Sequence, residues 1–238
     1  MQIPTVAHKH SSIERKVVNM PVRVGLQYIE KWHSSMEDAV RKYEQEPIEK
    51  GQIVFYGPSN FTRWGRGTKW DHKPLREVML GKSGKPCAVN RGFGSSNAEH
   101  QLYYYSRTVR PLNPKVLVYA SFANGPAFGY SDEESWELAQ RVIAWAKTDF
   151  PGIRIYLEGA HPTRDEDAEK RARKQAYNET VKAFAESNED VFFLDLYDRP
   201  EFLRKDIFVE DGVHLNKLGY ELYEAFYLDA LKDELAKY

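Results

Sequence analysis

The stretch that decides the fold is Ile53-Val-Phe-Tyr56, followed at once by Gly57-Pro-Ser59. Four consecutive apolar residues predict a short strand that is buried on both of its faces. The glycine and proline after it predict a tight turn, and the residues from Ser59 to Trp64 are expected to continue as a helix. This arrangement presents a serine hydroxyl, with its backbone amide, at a helix N-terminus that follows a strand.

The same apolar pattern recurs at wide intervals along the chain. Five such runs are present: Ile53–Tyr56, Cys87–Val89, Val116–Tyr119, Ile153–Leu157 and Val191–Leu194. Polar segments of helical periodicity separate them, and in one of these segments the apolar residues recur at intervals of three and four: Trp136, Ala139, Val142, Ile143 and Ala146. The alternation predicts an α/β fold with a parallel sheet, in which a site belongs at the carboxyl ends of the strands.

Two further amphipathic helices are predicted towards the ends of the chain. The first, which we expect to lie against the sheet, has an apolar stripe of Tyr28, Ile29, Trp32, Met36, Val40 and Tyr43. The last has a stripe of Leu218, Leu222, Ala225, Phe226, Leu231 and Leu235. We expect a single domain over residues 1–238, with a helical extension at about residues 1–50.

Composition argues against several classes of protein. The 238 residues include 34 Lys+Arg and 35 Asp+Glu, so the net charge of −1 gives no attraction to nucleic acid or to an anionic membrane. A single cysteine, Cys87, excludes an intramolecular disulfide framework and argues against a cysteine zinc site. No apolar run approaches the roughly 18 residues of a membrane span, and the N-terminus lacks the pattern of a secretory signal. We therefore expect a cytoplasmic protein.

A candidate base lies near the other end of the chain, in Asp211-Gly-Val-His214. The Asp-x-x-His spacing lets a tight turn bring the carboxylate back to the imidazole, which fixes its tautomer and stabilises the imidazolium. Taken singly, Ser59 is better explained as a helix cap, Asp211 as a turn residue and His214 as a partly buried histidine. Together they supply a nucleophile, a base and a group that orients the base.

Two other loops offer hydrogen-bond donors to a developing oxyanion. The loop Val89–Asn97 follows the second strand and is rich in small residues, so its backbone N–H groups can point at one ligand. A dinucleotide site is the competing interpretation, but the loop reads G-x-G-x-x-N and lacks the third glycine. Asn124, after the third strand, offers a side-chain amide, although an Asn-Gly pair is also a common turn.

The order of these four blocks, each after the expected strand, resembles the SGNH hydrolase superfamily, also called GDSL-like esterases and lipases. The resemblance extends from about Ile53 to Leu235. It implies a three-layer α/β/α, flavodoxin-like fold with a five-stranded parallel sheet, and ester hydrolysis through an acyl-enzyme. It also implies the site residues: Ser59 as nucleophile, Asp211 and His214 as the rest of a triad, and Ser59, Gly92 and Asn124 as the oxyanion hole.

The chain departs from the pattern of that superfamily in two places. The first block usually reads Gly-Asp-Ser, and here Pro58 stands in the Asp position; the third usually reads Gly-x-Asn-Asp, and here it is Ala123-Asn124-Gly125. Proline has no N–H and fixes φ, and the missing Asp removes a charge, so both changes affect the shape of the oxyanion hole. Ala123 could also align in place of Asn124, which would remove the side-chain donor.

Three further residues, Arg63, Phe93 and His161, lie in predicted loops or turns around the same site and are candidate substrate contacts. No long apolar lid is visible, so we predict hydrolysis of short-chain acyl or acetyl esters, with carbohydrate esters among the candidates. We expect a small-molecule ester as the partner, no nucleic acid, no stable membrane association, no cofactor and no metal. The sequence leaves a homo-oligomer open.

Two alternatives to a serine esterase remain open. Pro58 and the altered Asn124 loop suggest a catalytically impaired member that binds an acylated or carbohydrate ligand. A metal-dependent phosphoesterase that uses Asp211, His214 and His161 is less favoured, because no close group of His and Asp has the spacing of metal ligands.

Overall fold

The computed structural model describes residues 27–65, 71–120, 122 and 124–238. At its centre lies a sheet of five strands in the order β2-β1-β3-β4-β5. The strands are β1 (Ile53–Tyr56), β2 (Ala88–Asn90), β3 (Val116–Ala120), β4 (Arg154–Glu158) and β5 (Val191–Leu194). Every pairing is parallel. This is the strand order of flavodoxin-like folds, and it confirms the predicted α/β architecture.

All five predicted strands are present, with ends that differ from the prediction by at most one residue. β1 and β5 have the predicted bounds, whereas the other three end one residue later than predicted. These runs are apolar on both faces, so sequence periodicity gave no sharp signal for where each strand ends.

Helices cover both faces of the sheet, which gives the three predicted layers. The helices are α1 (His33–Gln45), α2 (Ser59–Gly65), α3 (Leu75–Val78), α4 (Ala98–Thr108), α5 (Asp132–Asp149), α6 (Ala168–Glu186), α7 (Lys217–Ala230) and α8 (Lys232–Leu235). Side chains of α1, α4, α5 and α6 form one buried cluster with Val54 and Tyr56 of β1. Side chains of α2, α3, α7 and α8 form a second cluster with Ile53 and Phe55, because successive residues of a strand point to opposite faces.

Polar caps mark where α4, α5, α6 and α7 begin. Asn97 and Ser131 open α4 and α5, each with a capping box to the third helical residue. Asp167 opens α6 by accepting a hydrogen bond from the Lys170 amide. Asn216 opens α7 in the same way, by accepting from the Gly219 amide. The cap at Asn216 fixes α7 only two residues after His214.

Two of the helix predictions need correction. The N-terminal helix begins at His33, because Trp32 before it has a left-handed backbone conformation with φ 65°, and this helix packs on α4. The predicted last helix is divided in two at Leu231. Residues 1–26, which make up most of the predicted extension, lie outside the described residues. Among the helices that are described, none is both long enough and apolar enough to cross a membrane.

Candidate active site

The turn between β1 and α2 places Ser59 at the carboxyl edge of the sheet. A Cβ atom at Gly57 would lie 2.9 Å from Ala120 Cβ and from Phe61 Cδ2, so the turn requires glycine there. Ser59 is the first residue of α2. Its N–H is one of the first-turn amides for which a helix has no internal acceptor. Ser59 therefore presents both its hydroxyl and its backbone amide at the N-terminus of α2.

The loop before α7 holds the predicted acid and base in one tight turn. Asp211 Oδ1 accepts hydrogen bonds from the amides of Val213 and His214, each 2.9 Å long. Asp211 Oδ2 lies 2.7 Å from His214 Nδ1. Gly212 has φ +68°, a left-handed conformation that glycine adopts without strain. The spacing Asp-x-x-His thus orients the carboxylate and the imidazole within a single loop, as predicted.

The structure brings this loop to the serine. His214 Nε2 lies 2.8 Å from Ser59 Oγ. The ionised Asp211 carboxylate can only accept, so the favoured tautomer of His214 carries its proton on Nδ1 and donates it to Asp211. Nε2 then accepts a hydrogen bond from the Ser59 hydroxyl. Three residues predicted from two separate motifs therefore form one chain of hydrogen bonds.

The surroundings of these hydrogen-bonded residues shift the pKa values of both His214 and Asp211. Burial lowers the pKa of His214 below its ordinary value of 6.5; the hydrogen bond to Asp211 opposes this shift, and the positive charge of Arg63 adds to it. Burial acts to raise the pKa of Asp211, but the His214 amide, the His214 ring and the Val213 amide outweigh it and lower the pKa to about 2. At neutral pH the carboxylate is ionised and the imidazole is neutral, as a general base requires.

Arg63, a predicted substrate contact, lies on α2 one turn beyond Ser59. Its Nη2 atom is 3.7 Å from Asp211 Oδ2, and its side chain is about one-fifth exposed (22%). A cavity of about 500 Å³ at this edge is lined by Arg63, Val209, Glu210 and Asp211. Arg63 therefore lies beside the acid of the site and borders a shallow depression in the surface.

The structure contradicts the prediction that Gly92 donates to an oxyanion. The Gly92 amide donates to Asn90 Oδ1 at 2.8 Å, and Gly92 is buried so closely against α2 that a Cβ would lie 2.6 Å from Phe61 Cβ. Gly94 and Ser95, two residues further along, are exposed, and neither amide donates to any residue that the structure describes. Ser95 has φ 61°. The available amides of this loop are therefore those of Gly94 and Ser95.

Asn124 is held against the same loop. Its Nδ2 donates to the Ser96 carbonyl oxygen at 2.9 Å. A primary amide has two N–H groups, so this contact leaves the second one for another acceptor. Ala123, the alternative candidate at this position, lies outside the described residues.

The structure contradicts the predicted role of Phe93 in binding substrate, and it places protein groups at both ring nitrogens of His161. Phe93 is completely buried and packs between Tyr56 and Tyr104, so no substrate can reach it. His161 Nε2 is hydrogen-bonded to Glu158, and its Nδ1 lies 3.1 Å from Asn60 Nδ2. Both ring nitrogens of His161 therefore face protein groups.

Sequence reasoning missed two residues that support the site. Glu158 is fully buried at the end of β4 and accepts hydrogen bonds from the hydroxyl groups of Tyr223 and Tyr227 in addition to the His161 contact. A carboxylate at the end of an apolar strand is a signal that could have been noticed. Asn60 follows Ser59 directly and contacts His161, and nothing in the sequence pattern identifies it.

Within the described part of the chain, no group of three or more His, Cys, Asp or Glu side chains is arranged to hold a metal ion.

Enzymes that cleave acyl compounds with a serine nucleophile share the Ser-His-carboxylate arrangement across unrelated folds. Here the sequence also establishes the family. The chain belongs to the GDSL-like Lipase/Acylhydrolase family, whose family model matches residues 56–222. It is thus an ester hydrolase by class. No curated protein sequence gave a match to the chain.

Solved structures agree with the family in fold. A Streptococcus pneumonia protein, provisionally described as a platelet activating factor, superimposes with a TM-score of 0.67 at 21% identity, covering 88% of this chain and 97% of that one. A GDSL-like lipase from Bacteroides thetaiotaomicron has a TM-score of 0.60 at 19% identity, with coverages of 88% and 98%. An acetylxylan esterase from Geobacillus stearothermophilus, solved as a catalytic mutant, has a TM-score of 0.59 at 15% identity, with coverages of 77% and 95%.

Proposed function

We propose that this protein hydrolyses short-chain acyl or acetyl esters, with Ser59 as nucleophile, His214 as general base and acid, and Asp211 as the group that orients His214. The observation that carries the proposal is the unbroken line of hydrogen bonds from Ser59 Oγ through the His214 ring to Asp211 Oδ2, with lengths of 2.8 and 2.7 Å. These lengths lie within the range expected of a nucleophile and its base.

In the acylation half of the proposed reaction, Ser59 Oγ attacks the ester carbonyl carbon while its proton passes to His214 Nε2. The tetrahedral intermediate collapses, the bond to the alcohol oxygen breaks, and the alcohol leaves with the proton from Nε2. Water then attacks the acyl-serine and gives a proton to His214 Nε2. As the second intermediate collapses, the bond between the acyl carbon and Ser59 Oγ breaks, Oγ takes the proton back from Nε2, and the acid leaves. Asp211 stays ionised throughout, since its pKa is lowered to about 2.

The proposed oxyanion hole differs from the one implied by sequence resemblance. The Ser59 amide and the second N–H of Asn124 remain candidate donors, and the Gly94 and Ser95 amides take the place of Gly92. The three amides have no acceptor among the described residues, and the Asn124 side chain uses one of its two N–H groups. This supports the assignment, because such donors can bond to an oxyanion without first breaking a bond within the protein.

The open surroundings of the site support a small acyl group. The depression bordered by Arg63, Glu210 and Asp211 is shallow and open to solvent, so it does not enclose a long hydrocarbon chain. Asp211 is 44% exposed and Val213 is 50% exposed, so the described part of the site is open to solvent. The acetylxylan esterase among the structural relatives makes acetylated carbohydrates the first substrates to test.

Turnover of matched esters tests the proposal. Acetate, butyrate and octanoate esters of one chromogenic alcohol are compared with an acetylated xylo-oligosaccharide, and released acid is measured. We expect kcat/KM to fall from acetate to octanoate and to vanish in Ser59→Ala. Ser187→Ala, an exposed serine at the end of α6, is the control and should keep the wild-type rate. Equal turnover by Ser59→Ala would contradict the proposed nucleophile, and a preference for octanoate would contradict the proposed substrate class.

A further inference from the structure

The loop between β4 and α6, residues 159–167, contacts the loop that carries Asp211 and His214 through one arginine. Arg164 donates from its backbone amide to the Gly212 carbonyl at 2.8 Å. Its Nη1 donates to the Val209 carbonyl at 3.1 Å, and its Nη2 to the Glu210 carbonyl at 2.9 Å. One residue therefore holds backbone carbonyls on both sides of Asp211.

The loop that Arg164 holds has little packing of its own at this point. Asp211 and Val213 are among its exposed residues, and Gly212 turns the chain with a positive φ. Short internal hydrogen bonds, such as the one from the Gly212 amide to the Val209 carbonyl at 3.0 Å, shape the turn but do not attach it to the sheet. The contacts from Arg164 provide such an attachment, since residue 164 follows closely after β4.

The other end of the β4–α6 loop contacts the helix of the nucleophile. His161 Nδ1 lies 3.1 Å from Asn60 Nδ2, and Asn60 follows Ser59 directly. The His161 ring is in turn fixed through Nε2 by the buried carboxylate of Glu158. Since an amide nitrogen only donates, His161 Nδ1 is the acceptor and Nε2 carries the proton toward Glu158.

The β4–α6 loop is itself firmly attached to α6. Lys174 Nζ donates to the His161 carbonyl at 2.6 Å and to Glu166. The Ala160 amide donates to Asn178 Oδ1 at 2.7 Å. Glu166 is 1% exposed and also accepts from Tyr197, so these anchors lie within the structure and not on a mobile surface.

We infer that the β4–α6 loop positions the two halves of the active site, with Arg164 as the positioning residue for the His214 loop and His161 as the positioning residue for Ser59. The inference rests on the proposed function, in which Ser59 and His214 react together. Neither Arg164 nor His161 is assigned a contact with substrate. Their effect is to keep Ser59 Oγ within hydrogen-bond distance of His214 Nε2, and a displacement of about 1 Å between such groups can cost about 100-fold in rate.

Steady-state kinetics of Arg164→Ala test the first half of the inference. We expect kcat for an acetate ester to fall about 10- to 100-fold while KM stays within about twofold, because substrate contacts are intact and only the geometry of proton transfer is lost. Arg164→Lys, which keeps the positive charge and N–H donors but lacks the rigid planar fork of the guanidinium, should recover part of the loss. Arg110→Ala is the matched control, since Arg110 pairs with Asp149 near the amino ends of β3 and β4, at the edge of the sheet opposite the site.

His161→Ala tests the second half and separates positioning from substrate binding. A positioning role predicts a lower kcat with KM unchanged, whereas a substrate contact predicts a higher KM. Glu158 keeps both tyrosine donors in this variant, so the fold is expected to survive. Melting temperatures are measured for every variant, and all assays are run well below the lowest of them.

An unchanged kcat in Arg164→Ala and His161→Ala, or a loss that appears only in KM, would overturn the inference. A loss of kcat equal to that of Arg110→Ala would also overturn it, since it would then be a general effect of removing a surface arginine. Failure of the proposed function is distinguishable: in that case Ser59→Ala would keep the wild-type rate whatever the loop variants do.

Discussion

His214 Nε2 lies 2.8 Å from Ser59 Oγ although 155 positions separate the two residues in the chain. The contact joins the turn after the first strand to the loop before the last long helix, and these meet because the carboxyl ends of parallel strands share one edge of the sheet. At this distance a proton can pass between the two atoms without movement of the backbone. The hydrogen bonds from Ser59 through His214 to Asp211, and the residues around them, lead to four predictions.

Replacement of Asp211 by asparagine should lower kcat by about 100- to 10,000-fold. The amide that replaces Oδ2 donates to His214 Nδ1, so the ring proton moves to Nε2, where the base can no longer accept from Ser59. The volume hardly changes, and melting temperature should stay close to that of the wild type. The kcat of Asp211→Asn for an acetate ester checks this, and a rate within a factor of about ten of the wild type would argue against an orienting role.

The pH dependence of kcat/KM should show an acid limb whose midpoint lies below pH 6.5. Burial lowers the pKa of His214 from that ordinary value, and only the neutral ring accepts a proton. Activity should therefore be lost as the pH falls through the lowered pKa and be retained at neutral pH. Asp211, with its pKa lowered to about 2, does not limit activity in this range.

The same profile measured on Arg63→Gln provides the control for the acid limb. The positive charge of Arg63 contributes to the lowered pKa of His214, so its removal should move the midpoint to higher pH. A midpoint above pH 6.5 in the wild type, or a midpoint that falls in Arg63→Gln, would contradict the assignment of the limb to His214.

Asn124→Ala, which removes the side-chain donor, should lower kcat about 100- to 1,000-fold with little change in KM. An oxyanion donor acts chiefly in the transition state. Asn188→Ala is the matched control, since the Asn188 side chain donates to the Phe184 carbonyl and the Ser187 hydroxyl at the end of α6. Single-ester kinetics on both variants check the prediction. Equal rates for the two variants would mean that the hole is completed without Asn124.

Substitution of Gly92 by alanine should lower stability and not simply activity. The added Cβ would lie 2.6 Å from Phe61 Cβ and from the Thr62 amide nitrogen, and buried backbone cannot move easily to make room. Overpacking of this kind typically lowers the free energy of unfolding by about 1–3 kcal/mol. Chemical denaturation measures the change. A variant of wild-type stability whose kcat alone is lost would restore Gly92 as an oxyanion donor.

The local features of this protein could be predicted from its sequence. A strand that is buried on both faces produces an apolar run such as Ile53–Tyr56, whatever the rest of the chain does. The turn from Asp211 to His214 depends on bonds within four residues, so its spacing alone indicated that carboxylate and imidazole would meet. These are properties of short segments, which sequence patterns describe well.

Hydrogen bonds whose partners depend on the tertiary fold could not be predicted. The Gly92 amide donates to the side chain of Asn90, so the glycine that the motif indicated is not available as an oxyanion donor. Arg164 reaches carbonyls more than 40 positions away, at Val209 and Glu210, with no periodic signal to mark it. Competition of this kind is settled by tertiary packing and not by local preference.

The most direct test of the account is the intact mass of the protein after treatment with a fluorophosphonate, which reports an activated serine without any assumption about the substrate. We predict a single adduct on the wild type and none on Ser59→Ala of the same melting temperature. A folded wild type that gains no adduct, or a Ser59→Ala variant that is still labelled, would contradict the assignment of Ser59 as the nucleophile.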